Sequence, residues 1–225
     1  MTIAAWPAVL KPRNCSPPEL RNAARGGGQS FTGVEQRVFS DAGRWEITYE
    51  VPVSTRAQQL AWRAMVARLR AGEDILLTIF DKFRPAGVPQ GSWGAGVSSD
   101  AALRATTLHL VTANVKVEAG VHFSIGPRLY RVMDVVSQTA ATSISDWFTT
   151  GAPWSDAGIW VDDAGSGLAA YEVKILPPLR AAAPSGTTAN FRDLVCLCTL
   201  ADMSSGDLSL DLGKFGTPSI TFAEA

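Results

Sequence analysis

Histidine and cysteine are scarce in this chain: His109, His122, Cys15, Cys196 and Cys198 are the whole supply in 225 residues. A small, odd number of cysteines in a chain this long is not a disulfide framework. No HExxH or related spacing offers the paired imidazoles of a zinc hydrolase. Long apolar runs are missing as well, none approaching the ~20 residues that a membrane helix needs. The opening residues to Pro7 carry no positive stretch, and Pro7 and Pro12 interrupt the apolar ones, so neither a secretory leader nor a membrane partner is expected. An excess of either charge is also lacking. Lys plus Arg at 20 balance Asp plus Glu at 21, leaving a formal net charge of −1, too weak an overall field to hold nucleic acid or anionic lipid. With 18% charged and 46% hydrophobic residues, the composition is that of a folded chain rather than a disordered one. The expectation is a soluble protein made in a cytoplasm.

Proline marks the beginning. Pro7, Pro12, Pro17 and Pro18 remove backbone donors and deny helix to residues 1–25, while Ile3, Trp6, Val9 and Leu10 are side chains that a free tail would leave in water. This segment reads as an extended N-terminal arm ordered by lying across an adjacent subunit or the next ring of subunits, with Trp6 as its anchor. The alternative is that it folds back over its own sheet. Residues 26–90 read as a β-sheet plus one helix. Gly26-Gly27-Gly28 is a connection, Gln29 to Val38 a short strand, and Arg44 to Val51 alternates so that Trp45, Ile47, Tyr49 and Val51 share one face. The helix runs from an N-cap at Ser54 or Thr55 to Gly72. Trp62, Met65, Val66 and Leu69 form its apolar stripe, and Arg56, Arg63 and Arg70 recur every seventh residue as a basic edge. Ile75 to Phe80 is a continuous apolar strand.

Residues 91–225 read as a second β-rich portion, whose C-terminal strands return to complete the first sheet. Ser92 to Arg104 is a Gly, Ser and Ala rich loop. Strands are expected at 106–111, 115–117, 122–125, 129–136, 171–175, 193–200 and 219–222, with Leu176 to Arg180 (LPPLR) breaking the sheet. Between them, 143–167 holds Trp147, Trp154 and Trp160 among Gly, Ser and Asp, an inserted loop or long hairpin. The fold class is mainly β, a sandwich or barrel with one packed α-helix.

Chemistry-bearing groups are few and poorly grouped. Both histidines sit in alternating strand patterns and read as structural or surface residues. Cys196 and Cys198 face the same way on a strand but lack further ligands, so buried apolar thiols are expected rather than a metal site. Gly26–Gly28 is neither preceded by a strand nor followed by the Lys-Ser/Thr of a phosphate loop. Asp156, Asp162 and Asp163 lack the DxDxDG spacing of a calcium loop, and nothing selects one carboxylate pair for glycoside hydrolysis. Trp45 and Trp62 belong in the core. Trp93, Trp147, Trp154 and Trp160 lie in polar loops, where tryptophan anchors interfaces or packs locally. No catalytic residue, cofactor or metal is expected.

The order of these patterns resembles the distal tail proteins of long-tailed bacteriophages, which form the hub between tail tube and tip. The resemblance rests on Ser30-Phe31-Thr32-Gly33 through Gln36-Arg37-Val38, on Gly43-Arg44-Trp45, and on the helix end Leu69-Arg70-Ala71-Gly72. It continues through Ala119-Gly120, Ile125-Gly126-Pro127-Arg128-Leu129-Tyr130-Arg131-Val132, Leu176-Pro177-Pro178-Leu179-Arg180 and Ile220-Thr221-Phe222-Ala223-Glu224. These cover about two thirds of the chain, and the segment 143–167 departs from the pattern. The resemblance implies a fold of tail-tube type and a structural, non-enzymatic virion protein. It would form a ring, commonly of six copies, joining the tail tube to the distal tip and continuing its lumen, with the helix outside. The implied partners are further copies of the chain, the tail tube protein and tail hub or fibre proteins, with DNA only passing through. The interface residues expected are Trp6, Arg56, Arg63, Arg70, Trp154 and Trp160. The alternatives are a carbohydrate-binding or carbohydrate-acting virion protein using the loop tryptophans, and another ring-forming tail component such as a tube or terminator subunit.

Overall fold

The computed structural model describes residues 3–21, 24–29, 35–39, 43–81, 94–113, 115–140, 168–210 and 215–225. In chain order the elements are β1 (Ile3–Ala5), β2 (Asn14–Cys15), β3 (Glu19–Arg21), β4 (Ala24–Gln29), β5 (Glu35–Phe39), β6 (Arg44–Glu50), α1 (Arg56–Arg70), β7 (Asp74–Thr78), β8 (Gly94–Val97), β9 (Thr107–Ala113), β10 (His122–Ile125), β11 (Arg128–Ala140), β12 (Leu168–Leu176), β13 (Ala189–Asn190), β14 (Val195–Leu200) and β15 (Ser219–Glu224). The protein is mainly β, with one helix among the described residues. It divides into two units, Met1–Asp81 with Val195–Ala225, and Lys82–Leu194. The portion drawn from the sequence as 91–225 is therefore split, because β14 and β15 pair with β7 and β6.

In the first unit the strand order is β1-β7-β14-β15-β6-β2, with β3 also on β6. Only the β1–β7 pair is parallel in this sheet. The alternation of β6 places Trp45, Ile47 and Tyr49 on one buried face, and register continues that face across the sheet. Phe222 lies opposite Ile47, Ile220 opposite Tyr49, Cys196 opposite Leu77 and Cys198 opposite Ile75. Helix α1 covers this face. It starts at a capping box in which the Thr55 hydroxyl accepts from Gln58 N and Gln58 Oε1 accepts from Thr55 N. Trp62, Met65, Val66 and Leu69 are its buried residues, each removed from water at a gain of about 1.5–3 kcal/mol. The helix seats through the Trp62 indole, which donates to the Gly206 carbonyl at 2.9 Å. Gly206 has φ +85, and a Cβ there would lie 3.1 Å from both Val66 and Ile220. A glycine lets the turn, the helix and the sheet meet at this point.

Two expectations for this unit are corrected. Residues 3–21 do not leave the unit as an arm: β1 pairs with β7, and β2 and β3 pair with β6. The prolines fall between these short strands, where no ladder donor is required. Gly26–Gly28 is not a connection but part of β4, which pairs with β5 across a register shift between Gly26 and Gln29. Glycine at such an irregularity is a common use of the residue in strands.

The second unit is one six-stranded sheet in the order β13-β10-β11-β12-β9-β8, curled until its ends almost meet. Gly96 of β8 bridges Thr188, next to β13. Val97 N donates to Thr187 O at 2.9 Å, and Gly186 N to Val97 O at 2.8 Å. The inward residues, among them Leu108, Leu110, Val132 and Val173, fill the barrel, with the Phe123 ring stacked on both Tyr130 and Phe191 at 5.7 and 5.3 Å. Here too the sequence expectation shifts. The Ser92 to Arg104 loop contains β8, the strand that brings the barrel toward closure. Residues 115–117 form no strand, yet Val115 and Val117 plug the core, and the Thr112 hydroxyl donates to the Val115 carbonyl at 2.8 Å. β12 ends at Leu176, directly before Pro177 and Pro178.

Candidate assembly surface

The face of the first sheet turned away from α1 is polar over β6 and apolar toward β1, where register sets Leu197 opposite Leu76 and Leu76 opposite Ala5. It carries Arg44, Glu46, Thr48 and Glu50 on β6, Ser219 and Thr221 on β15, Thr199 on β14 and Thr78 on β7, all exposed or half-buried. The polar face is organised across strands. The Thr48 and Thr221 hydroxyls share a hydrogen bond of 3.0 Å, Asn14 donates to Glu50, and Arg21 pairs with Glu46 at 2.6 Å. Among the described residues no strand pairs with the outer edge of β1, nor with the outer edges of β2 and β3. Unpaired edges template further strand pairing unless they are covered. Leu76, exposed on this face, and Ile3, 56% exposed on β1, put apolar side chains beside one of the two edges.

The outward face of α1 contains four arginines in 15 residues and no carboxylate. Arg68 pairs with Glu73 at 3.3 Å and Arg70 with Asp207 at 2.6 Å. Arg56 and Arg63 are exposed and have no partner among the described residues. Leu60 lies between them, 53% exposed. Close to the helix end runs the turn 201–207, tied down by the Trp62 and Arg70 contacts and by Gly206 N donating to Ser219 O. It exposes Asp202 beside Met203. The Ser204 hydroxyl and N–H both donate to the Asp202 carboxylate and hold it below the usual carboxylate range.

Of the interface residues expected from sequence, Arg56 and Arg63 are on this open face, and Arg70 is engaged with its own chain. Trp6 is half-buried in its own unit, its indole donating to Leu10 O at 2.6 Å and its ring edge-on to Tyr49 at 5.5 Å and to Phe222 at 6.2 Å. Trp154 and Trp160 lie outside the described residues, as do Trp93, Trp147, Asp156, Asp162 and Asp163. His109 is exposed on β9, whereas His122 is buried and its Nε2 accepts from Arg131 Nε at 2.9 Å. Cys196 and Cys198 are buried in the helix-covered face. Burial, then the nearby thiols of Cys15, Cys198 and Cys196, push the Tyr49 phenol far above its ordinary value, and its hydroxyl donates to Thr78 O at 2.5 Å. Among the described residues no three His, Cys, Asp or Glu side chains are grouped to hold a metal, and no helix is long and apolar enough to cross a membrane.

Sequence reasoning passed over Leu60, Asp202 and Met203. Leu60 falls four residues after Arg56 and outside the apolar stripe, a signal that was present. Asp202 and Met203 sit in a turn with no periodicity to betray their exposure. A scan against protein-family models finds no matching family, and a search of curated proteins finds no significant match.

Proposed function

We propose that the chain is a structural subunit of a bacteriophage tail tip, assembling without turnover into a ring, of six copies on the resemblance described above. The ring joins the tail tube to the distal tip and continues its lumen. One observation carries this reading: among the described residues the first unit is a sheet with a helix on one face, a polar surface over β6 on the other, and no strand on either outer edge. A closed ring of such sheets would pair or cover the edges. It would turn the hydroxyls and carboxylates of the polar face toward the channel, where Glu46 and Glu50 offset the cations named on it, the exposed Arg44 and the Glu46-paired Arg21. The tail tube protein and hub or fibre proteins would stack on the two ends of the ring.

Mass-resolved light scattering of the purified full chain tests the proposal. The expected result is a species of about six times the 23.9 kDa chain mass, with a central channel in electron micrographs. A chain that stays monomeric at every concentration reached would overturn it.

A further inference from the structure

The helix and the turn 201–207 of the first unit carry opposite kinds of exposed surface. On α1, Arg56, Leu60 and Arg63 fall within about 60° of one another around the axis at 100° per residue. On the turn, Met203 is 64% exposed, with the Asp202 carboxylate beside it. We propose that Asp202 and Met203 of one copy dock on Arg63 and Leu60 of the next, forming a head-to-tail contact repeated around the ring. The inference rests on the ring assembly proposed above and names one of its interfaces.

Three observations select this occupant. The charges are complementary and in deficit within one copy, because Arg68 and Arg70 have carboxylates of their own while Arg63 has none among the described residues. The spacing matches: Leu60 and Arg63 stand one turn apart with Cβ atoms about 5–6 Å from each other, a reach that two adjacent residues with Cα atoms about 3.8 Å apart can cover. The composition also fits, an exposed apolar pair beside an arginine, as at protein interfaces. Within one copy the match is not made: the turn is held against α1 at Trp62 and Arg70, and among the described residues Asp202 accepts from Ser204 and forms no ion pair with Arg63. Because the two surfaces differ, the contact is heterologous, and a heterologous contact closes into a ring when its rotation closes.

Charge exchange in the full chain tests it. Arg63→Glu and Asp202→Arg, prepared separately, should each lower association at least tenfold in light scattering while the dissociated chain stays folded, its thermal unfolding at the wild-type value for Arg63→Glu and a few degrees lower for Asp202→Arg, which loses the two Ser204 hydrogen bonds. The double variant Arg63→Glu/Asp202→Arg should recover rings. So should an equimolar mixture of the two single variants, in which each reversed helix meets a reversed turn and copies alternate around an even-numbered ring. Rings that survive either single variant, or folded single variants that neither the double nor the mixture rescues, would overturn the contact and leave the ring reading standing. In the second case the arginine face serves a different acidic partner. A wild-type chain that never leaves the monomer overturns both.

Discussion

The two sheets of this protein solve the same problem in opposite ways. In the second unit Gly96 bridges Thr188 and Val97 hydrogen-bonds with Gly186 and Thr187, so the six strands nearly close and the edges are largely consumed within the chain. In the first unit β1 at one side and β2 and β3 at the other leave their outer edges without a strand among the described residues. A sheet that closes on itself offers no edge to another chain, whereas edges without a strand among the described residues can template pairing with a second copy. Assembly is therefore to be sought in the first unit, and the chemistry of its exposed groups matters more than that of the better-filled barrel.

The largest effects should come from cores, where the comparison can be broken most cleanly. Trp62→Ala removes a fully buried indole and its hydrogen bond to Gly206, at an expected cost of about 3–5 kcal/mol. Phe123→Ala in the barrel should cost about the same by losing two stacked rings. All three cysteines belong to the first unit, and Cys196 and Cys198 are fully buried, so thiol labelling reads that unit. Trp62→Ala should speed labelling of these two by about two to four orders of magnitude. An equal acceleration by Phe123→Ala would end the comparison by showing that the two units open together. Leu10→Ala, at a residue 1% exposed, should cost about 2–5 kcal/mol in dissociated chains. A segment that lay on a neighbouring copy would give no such loss, so an unchanged urea midpoint would restore the reading of 1–25 as an arm.

Smaller effects test how the helix is joined to its sheet. Gly206→Ala sets a Cβ 3.1 Å from Val66 and Ile220 at a positive φ, for an expected loss of about 1–3 kcal/mol. Thr55→Ala removes the capping box and should cost about 1 kcal/mol. Reversal of that order in denaturant titrations would mean that the turn yields to the helix more readily than the packing implies.

The parts legible in the sequence were those where one face of a regular element meets one core. β6 and α1 show this: Trp45, Ile47, Tyr49 and then Trp62, Met65, Val66, Leu69 repeat at the periods of strand and helix, and all are buried. The first candidate surface was half legible for the same reason, since Arg56 and Arg63 are the complement of that stripe. β11 was expected at 129–136, which spans the register shifts after Val132 and Val135. Its unread end, Ser137 to Ala140, has no alternating apolar face, Ser137 to Thr139 being exposed, and is held to β12 by register alone. β8 was invisible because Gly94 to Val97 closes the barrel through backbone bonds, and backbone bonding leaves no side-chain pattern. The strands of residues 3–21 were hidden by prolines that stand between them.

The smallest effects concern arginine and sharpen the comparison furthest. Arg70 and Asp207 form an ion pair with side chains 38% and 76% exposed, and exposed pairs contribute about 0–1 kcal/mol. Arg70→Ala should therefore lower the stability of the dissociated chain by no more than about that, and by less at high salt. Arg56→Ala and Arg63→Ala remove no contact among the described residues and should change it by less than about 0.5 kcal/mol. If the open face of α1 is an assembly surface, the ranking inverts when association is measured. Arg63→Ala then weakens the ring, and Arg70→Ala, whose guanidinium is already neutralised within its own copy, does so less. Denaturant melts on dissociated chains paired with light scattering on the same preparations give both rankings. If Arg70→Ala came first in both, the ion pair would be holding the turn for the interface, and the free arginines would be solvated surface.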